Sequence, residues 1–214
     1  MIIAIDGPAA SGKGTLARRL ADHFGLAYLD TGLLYRAVGA KVRDRGIDPA
    51  SPGAAAAARD LAADDMDDPR LRLDEAAAAA SLVAAQAEVR AALRDFQRDF
   101  ARNPPDTPRG PAAGAVLDGR DIGTQVCPDA DVKLFVTAAA EVRAERRLKE
   151  LQERGLEAIY GRVLRDMNER DRRDRERDVA PLKPADDAFV LDTSGLDADA
   201  AFAKALDFIQ SRNL

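Results

Sequence analysis

Cysteine is nearly missing from this chain: Cys127 is the single one in 214 residues, so no internal disulfide can form and no cysteine-rich zinc site can assemble. His23, the one histidine, adds little as a second ligand, and no protein-held metal is expected. Tryptophan is absent and aromatic residues make up 5% of the chain, which leaves no basic stripe interleaved with rings for a nucleic acid. No apolar run approaches the ~20 residues of a membrane-spanning helix. The opening MIIAIDGPAA has neither the basic n-region nor the long h-region of a secretory signal. The expectation is a cytoplasmic protein without a membrane or nucleic-acid partner. An excess of one charge sign is lacking too: 32 basic against 37 acidic residues give a net charge of -5, so an anionic ligand must be held by a local cluster.

What is present suits one soluble domain, with 46% hydrophobic and 32% charged residues and no coiled-coil seam to argue against a monomer. Ile2 to Ile5 is a short apolar run that ends in a Gly/Pro turn, and the stretch Lys13 to His23 places Leu16 and Leu20 on one helical face. Leu26 to Leu29 predicts a second strand, after which Asp30 or Thr31 caps a helix carrying Leu33, Leu34, Ala37 and Val38. Between about Asp48 and Ala85 the pattern changes to a small insertion, with alanine tracts at 54–58 and 76–80 around an acidic stretch. Alanine's helix propensity predicts surface helix there, with no chemistry of its own.

Val83 to Phe100 has helical spacing at Val89, Leu93, Phe96 and Phe100, before a Pro/Gly-rich loop from Asn103 to Gly114. Further strands are predicted at Ala115–Leu117, Val132–Val136 and Phe189–Leu191, with a charged helix at about Ala139 to Arg154 and a final amphipathic helix. Five apolar strands alternating with helices predict an α/β fold, a five-stranded parallel sheet flanked by helices.

Gly7-Pro8-Ala9-Ala10-Ser11-Gly12-Lys13-Gly14-Thr15 contains G-x-x-x-x-G-K between a predicted strand and a predicted helix. Backbone N–H groups of such a loop cradle phosphate at a helix N-terminus, and Lys13 can reach the β- and γ-phosphates of a nucleotide. Gly14 stands where the general pattern has Ser or Thr, so Thr15 is the nearest hydroxyl to a nucleotide-bound Mg²⁺. Phosphate loops serve switches, motors and kinases alike. A kinase needs cations that converge from elsewhere on the transferred phosphoryl, and this chain has them.

Three segments stand out: Thr31-Gly32-Leu33-Leu34-Tyr35-Arg36, Asp118-Gly119-Arg120-Asp121-Ile122-Gly123-Thr124, and the run from Glu169 to Arg177. With Gly12-Lys13-Gly14-Thr15 they resemble the bacterial cytidylate kinases, over essentially the whole chain. The resemblance implies transfer of the γ-phosphoryl of ATP, with Mg²⁺, to CMP or dCMP. It also implies a phosphate-loop kinase core with a nucleotide-binding insertion at about 38–85 and a short lid at about 151–168. Matched positions imply that Thr31, Arg36, Arg120 and Arg177 hold the monophosphate, that Ser81, Arg90 and Asp121 face the cytosine, and that Arg170 and Asp174 face the sugar or phosphates. Arg146 and Arg147 would approach ATP and the transferred phosphoryl, so Lys13, Arg120, Arg147 and Arg170 make up the implied catalytic set. The family more often has Ser where this chain has Thr31, and the hydroxyl is kept.

Cytosine's N4 amino group is a donor where uracil has an acceptor, so a carboxylate such as Asp121 satisfies only the former. Without the resemblance, the run at 165–178 reads as a solvated charged helix laced with i,i+4 pairs, although Arg170, Asp174 and Arg177 fall on one helical face. Arg90 and Ser81 read as ordinary helix residues, Tyr35 as packing, Cys127 as buried and His23 as a helix-end residue. Asp118 is either a Mg²⁺-orienting carboxylate or a turn cap. Gly155 provides a hinge for the lid. A regulatory NTPase is disfavoured by the absence of an Asn-Lys-x-Asp motif and by arginines better suited to a second anionic substrate than to water. Adenylate kinase is the nearer rival, and the single cysteine removes only the zinc lid that some of those enzymes carry.

Overall fold

The computed structural model describes residues 1–212, other than the side chains at positions 63, 72, 74 and 75. Strands β1 (Ile2–Asp6), β2 (Ala27–Asp30), β3 (Ala115–Gly119), β4 (Val132–Thr137) and β5 (Phe189–Asp192) form one parallel sheet in the order β2-β3-β1-β4-β5. Ile3, Ala4 and Ile5 of the central strand are fully buried, which a parallel strand covered by helices on both faces requires. The chain's helices are α1 (Lys13–Phe24), α2 (Thr31–Asp44), α3 (Ala54–Arg59), α4 (Asp74–Val83), α5 (Ala87–Arg102), α6 (Ala140–Glu153), α7 (Tyr160–Glu176) and α8 (Ala198–Ser211).

On one face Leu16 and Leu20 of α1 and Ile209 of α8 pack with Ile5, Leu134 and Leu191 of the sheet. On the other, Ala101 of α5 packs with Leu29 and Leu117. A separate core joins α2 to α5 through Leu34, Val38, Val42, Ala57, Val83 and Leu93. The helical layer that carries this core thus runs from α2 through α5. Among the described residues no single helix is long and apolar enough to cross a membrane.

Three expectations need correction. The alanine tracts are not surface helix, because Ala54, Ala55, Ala57, Ala58, Ala76, Ala77, Ala79 and Ala80 are buried. Their small side chains let helices approach closely, and a Cβ on Gly39 of α2 would lie 2.9 Å from the Ala79 Cβ of α4. The apolar spacing from Val83 to Phe100 spans a break at residues 84–86 between α4 and α5. Phe96, expected on the packed face, is 52% exposed, because that face is taken by Val89, Leu93 and Gln97. Of the two candidate caps of α2, Asp30 does the capping, with its carboxylate accepting the Gly32 N–H at 3.0 Å.

Candidate functional site

The site is assembled at the carboxyl ends of β1, β2 and β3, where open parallel sheets bind ligands. β1 ends at Asp6 and the chain turns at Gly7, where φ is 152° and a Cβ would lie 2.0 Å from the Val136 carbonyl of β4. Gly12, at φ 86°, is the N-cap of α1, so the loop N–H groups face the point where the helix dipole favours an anion. Ala10 holds a left-handed conformation, φ 56°, at a cost of about 1–2 kcal/mol. It is secured from outside the loop: Ala10 packs on the α6–α7 core, and the Arg143 guanidinium donates to the Ala9 carbonyl at 3.3 Å.

Lys13 lies 3.2 Å from Asp118 Oδ1. Burial pulls the Lys13 ammonium down and pushes the Asp118 carboxyl up, and each charge opposes the shift of the other. Apart from Lys13, Asp118 Oδ1 has no donor among the described residues, while Oδ2 accepts weakly from the Tyr28 hydroxyl at 3.4 Å. A Cβ on Gly14 would stand 3.1 Å from Oδ2, so this glycine makes room for the carboxylate where other phosphate loops place a hydroxyl. Among the described residues no backbone N–H donates to the Asp118 carboxylate, which faces the phosphate loop through Lys13. Thr15 is exposed on the first turn of α1. Thr31, expected at the monophosphate, is buried and donates its hydroxyl proton to the Asp118 carbonyl at 2.8 Å.

The arginines form two groups. Arg36, Arg120, Arg147 and Arg170 lie close enough together that burial first, and then their mutual repulsion, pulls Arg170 down to about 10, with Asp174 opposing. Arg120 Nε donates to Asp174 at 3.2 Å, Arg36 Nη1 to the Leu71 carbonyl at 2.8 Å, and Arg147 pairs with Glu150 at 2.7 Å. Burial would raise the Asp174 carboxyl, but Arg120, Arg170 and Arg177 hold it below the usual carboxylate range. Arg170 Nε, Arg173 Nε and Arg177 Nη2 are buried without an acceptor among the described residues. Buried guanidinium N–H groups left open are costly, and a phosphate would satisfy them.

The second group surrounds a cavity of about 20 Å³ lined by Tyr35, Arg90, Gln97, Asp121, Val179 and Ala180, among others. Arg90 and Asp121 are both buried and joined in an ion pair, and the Arg90 guanidinium lies 5.3 Å from the centre of the Tyr35 ring. Arg90 is thus no surface arginine, and Tyr35 packs beneath it. Arg177 Nε donates to the Ala180 carbonyl at 2.6 Å, which places the cavity mouth just beyond α7. Ser81 does not line this cavity, but its hydroxyl is buried and has no partner among the described residues. Adjacent residues of one strand end, Arg120 and Asp121, join the two groups.

A phosphate loop facing a guanidinium cluster and a small carboxylate-lined cavity agrees with the comparisons to known proteins. The family model for cytidylate kinase matches residues 3–211. The chain belongs to the cytidylate kinase family. It is 66% identical over 212 residues to the cytidylate kinase of Paramagnetospirillum magneticum, covering 99% of this chain and 98% of that protein. It is 59% identical over 214 residues to the cytidylate kinase of Rhodospirillum rubrum, covering 100% and 99%. At the level of fold alone, it superposes with a TM-score of 0.58 on the crystal structure of an uncharacterized protein from Eubacterium ventriosum, at 15% identity and 99% coverage of each chain.

In this chain, Arg146 sits apart from the arginines of the two groups. It donates to the Thr193 hydroxyl at 3.0 Å and to the Thr193 carbonyl at 2.6 Å, beside Gly12. The Thr193 hydroxyl in turn lies 2.9 Å from the Ser11 carbonyl. Thr193, Arg143 and Asp6 also support the site, and none of them lies in a motif that marks it in the sequence. Arg143 forms a buried ion pair with Asp171 of α7 at 2.6 Å, and Asp6 accepts the N–H groups of Ile122 and Gly123 at 2.8 Å each. Only the position of Asp6, immediately before the loop glycine, could have drawn attention to it.

Proposed function

We propose that this chain transfers the γ-phosphoryl group of ATP to CMP or dCMP, giving ADP and CDP or dCDP, as a cytoplasmic monomer. The observation that carries the assignment of the acceptor side is the surplus of buried guanidinium groups with open N–H donors next to the Asp121–Arg90 pair. The amides of the loop from Gly7 to Thr15, with Lys13, hold the phosphates of ATP, and Arg146 lies on the same side of the loop. Arg120, Arg147 and Arg170 neutralise charge on the transferred group and align it for in-line attack. Thr31, Arg36, Arg120 and Arg177 hold the monophosphate, and Arg170 and Asp174 flank the sugar and phosphates. Ser81, Arg90 and Asp121 face the base, with Asp121 accepting from the cytosine amino group.

The acceptor oxygen belongs to a phosphate already largely ionised near neutral pH, so no general base is needed. Asp118, a buried carboxylate contacted by Lys13 and, weakly, by Tyr28, and the Thr15 hydroxyl fit the hydration shell of a magnesium ion. Mg²⁺ arriving with ATP supplies neutralisation of the β- and γ-phosphate charge. The cavity beside Asp121 has room for a water molecule and not for a base, so binding requires it to widen at Val179 and Ala180. The insertion at about 38–85 belongs to the acceptor side, and the segment at about 151–168, hinged at Gly155 with φ 73°, closes over ATP.

The test is ADP formation from Mg·ATP with CMP, dCMP, UMP, AMP, GMP or no acceptor. Stimulation by CMP and dCMP, lost in Lys13→Ala, is expected. Hydrolysis independent of any acceptor would overturn the reading in favour of a regulatory NTPase.

A further inference from the structure

Asp6 is the last residue of the central strand, it is buried, and nothing in the phosphoryl-transfer scheme uses it. Its two carboxylate oxygens accept from successive backbone N–H groups, Ile122 to Oδ1 and Gly123 to Oδ2, both at 2.8 Å and 116 and 117 residues away. Those two amides open a single π-helical turn, Ile122–Val126, whose first N–H groups have no partner within the turn. The residue just before them is Asp121. Its carbonyl anchors the same turn, accepting from Gln125 at 2.8 Å and Val126 at 3.2 Å, while its side chain is committed to Arg90. The residue just after Asp6 is Gly7, where the phosphate loop begins. One side chain therefore fastens the turn that carries the base-facing carboxylate to the strand that carries the donor loop.

We infer that Asp6 is a positioning residue for the acceptor base: by fixing the Ile122 and Gly123 amides it sets where Asp121 and Arg90 stand relative to the phosphate loop. The inference rests on the reading of Asp121 given above. Asn in place of Asp6 keeps the shape but presents an amide donor to one of the two N–H groups, so one anchor is lost and two donors face each other. A side chain that merely held the strand end together would act on the adjoining ATP loop at least as strongly as on Asp121.

The experiment measures kcat and KM for ATP, CMP and UMP in wild type and Asp6→Asn at pH 8, where the carboxylate is charged. The expected result is a rise of about tenfold in KM for CMP, the size of one lost charge-assisted hydrogen bond. The preference for CMP over UMP should fall with it, and KM for ATP should stay within about twofold of wild type. Equal rises in both KM values, or an unchanged CMP-to-UMP preference, would overturn the inference. A second readout needs no variant: the Gly123 amide proton resonance of the wild type, followed from pH 5 to pH 9. The groups facing Asp6 are the carboxylates of Asp118 and Asp121, and the Lys133 side chain runs alongside Gly123. A Gly123 amide held by Asp6 shifts as that carboxyl titrates, and a resonance indifferent to pH overturns the contact itself. If the wild type prefers another monophosphate, the same comparison made on that acceptor decides the role of Asp6, and only the cytosine reading fails.

Discussion

A carboxylate buried at the end of a central strand leaves a mark on stability as well as on recognition. The Asp6 carboxyl is pushed up to about 7, chiefly by burial, with the Ile122 and Gly123 amides opposing and Asp121 and Asp118 adding repulsion. An unfolded aspartate titrates near ~3.9, so the folded chain holds this proton more tightly. Stability from the group is then fully present below about pH 4 and is lost as pH rises through about 7. Urea unfolding at pH 5 and pH 8 should show Asp6→Asn improving on wild type by about 2–3 kcal/mol between the two conditions. Parallel pH dependences would mean that no charge is buried there. Asp118, also raised, is common to both proteins and drops out of the comparison. At this scale the sequence reading reached residues inside motifs and missed their supports. Asp6, Arg143 and Thr193 act through partners far along the chain, and no local spacing encodes such a contact.

Among the elements, α2 and α4 pack closely where Gly39 meets Ala79. An all-alanine tract has no contrast between faces, so periodicity cannot tell a buried alanine helix from an exposed one, and propensity alone suggested the surface. The structure resolves the ambiguity by size: only small side chains allow these two helices so close. Replacing Gly39 with Leu should destabilise the protein by about 1–3 kcal/mol through overpacking, read from the urea midpoint. Because α4 carries Ser81 and α2 carries Arg36, the same variant should weaken CMP binding more than ATP binding. A variant as stable as wild type would mean the helices part without loss. The ends of α1 and α6 lie within a residue of the bounds expected from sequence, and α8 was expected only as a final amphipathic helix; the break between α4 and α5 was not legible, since apolar residues continue across it.

For the whole molecule, the parallel α/β class could be read because buried parallel strands are largely apolar, as in Ile2 to Ile5 and, Lys133 apart, Val132 to Val136. The order of the strands could not, because right-handed crossovers are compatible with several orders. The observed order sets β1 between β3 and β4, with Ile3 opposite Val116 on one side and Val132 on the other. That placement has a consequence for biosynthesis. The strand made first lies between neighbours that leave the ribosome more than a hundred residues later, a delay of roughly 5–20 s at ordinary elongation rates. Through that interval an apolar segment with an open edge on each side waits for partners, and the nascent chain is a natural client for holding chaperones until β3 and β4 emerge.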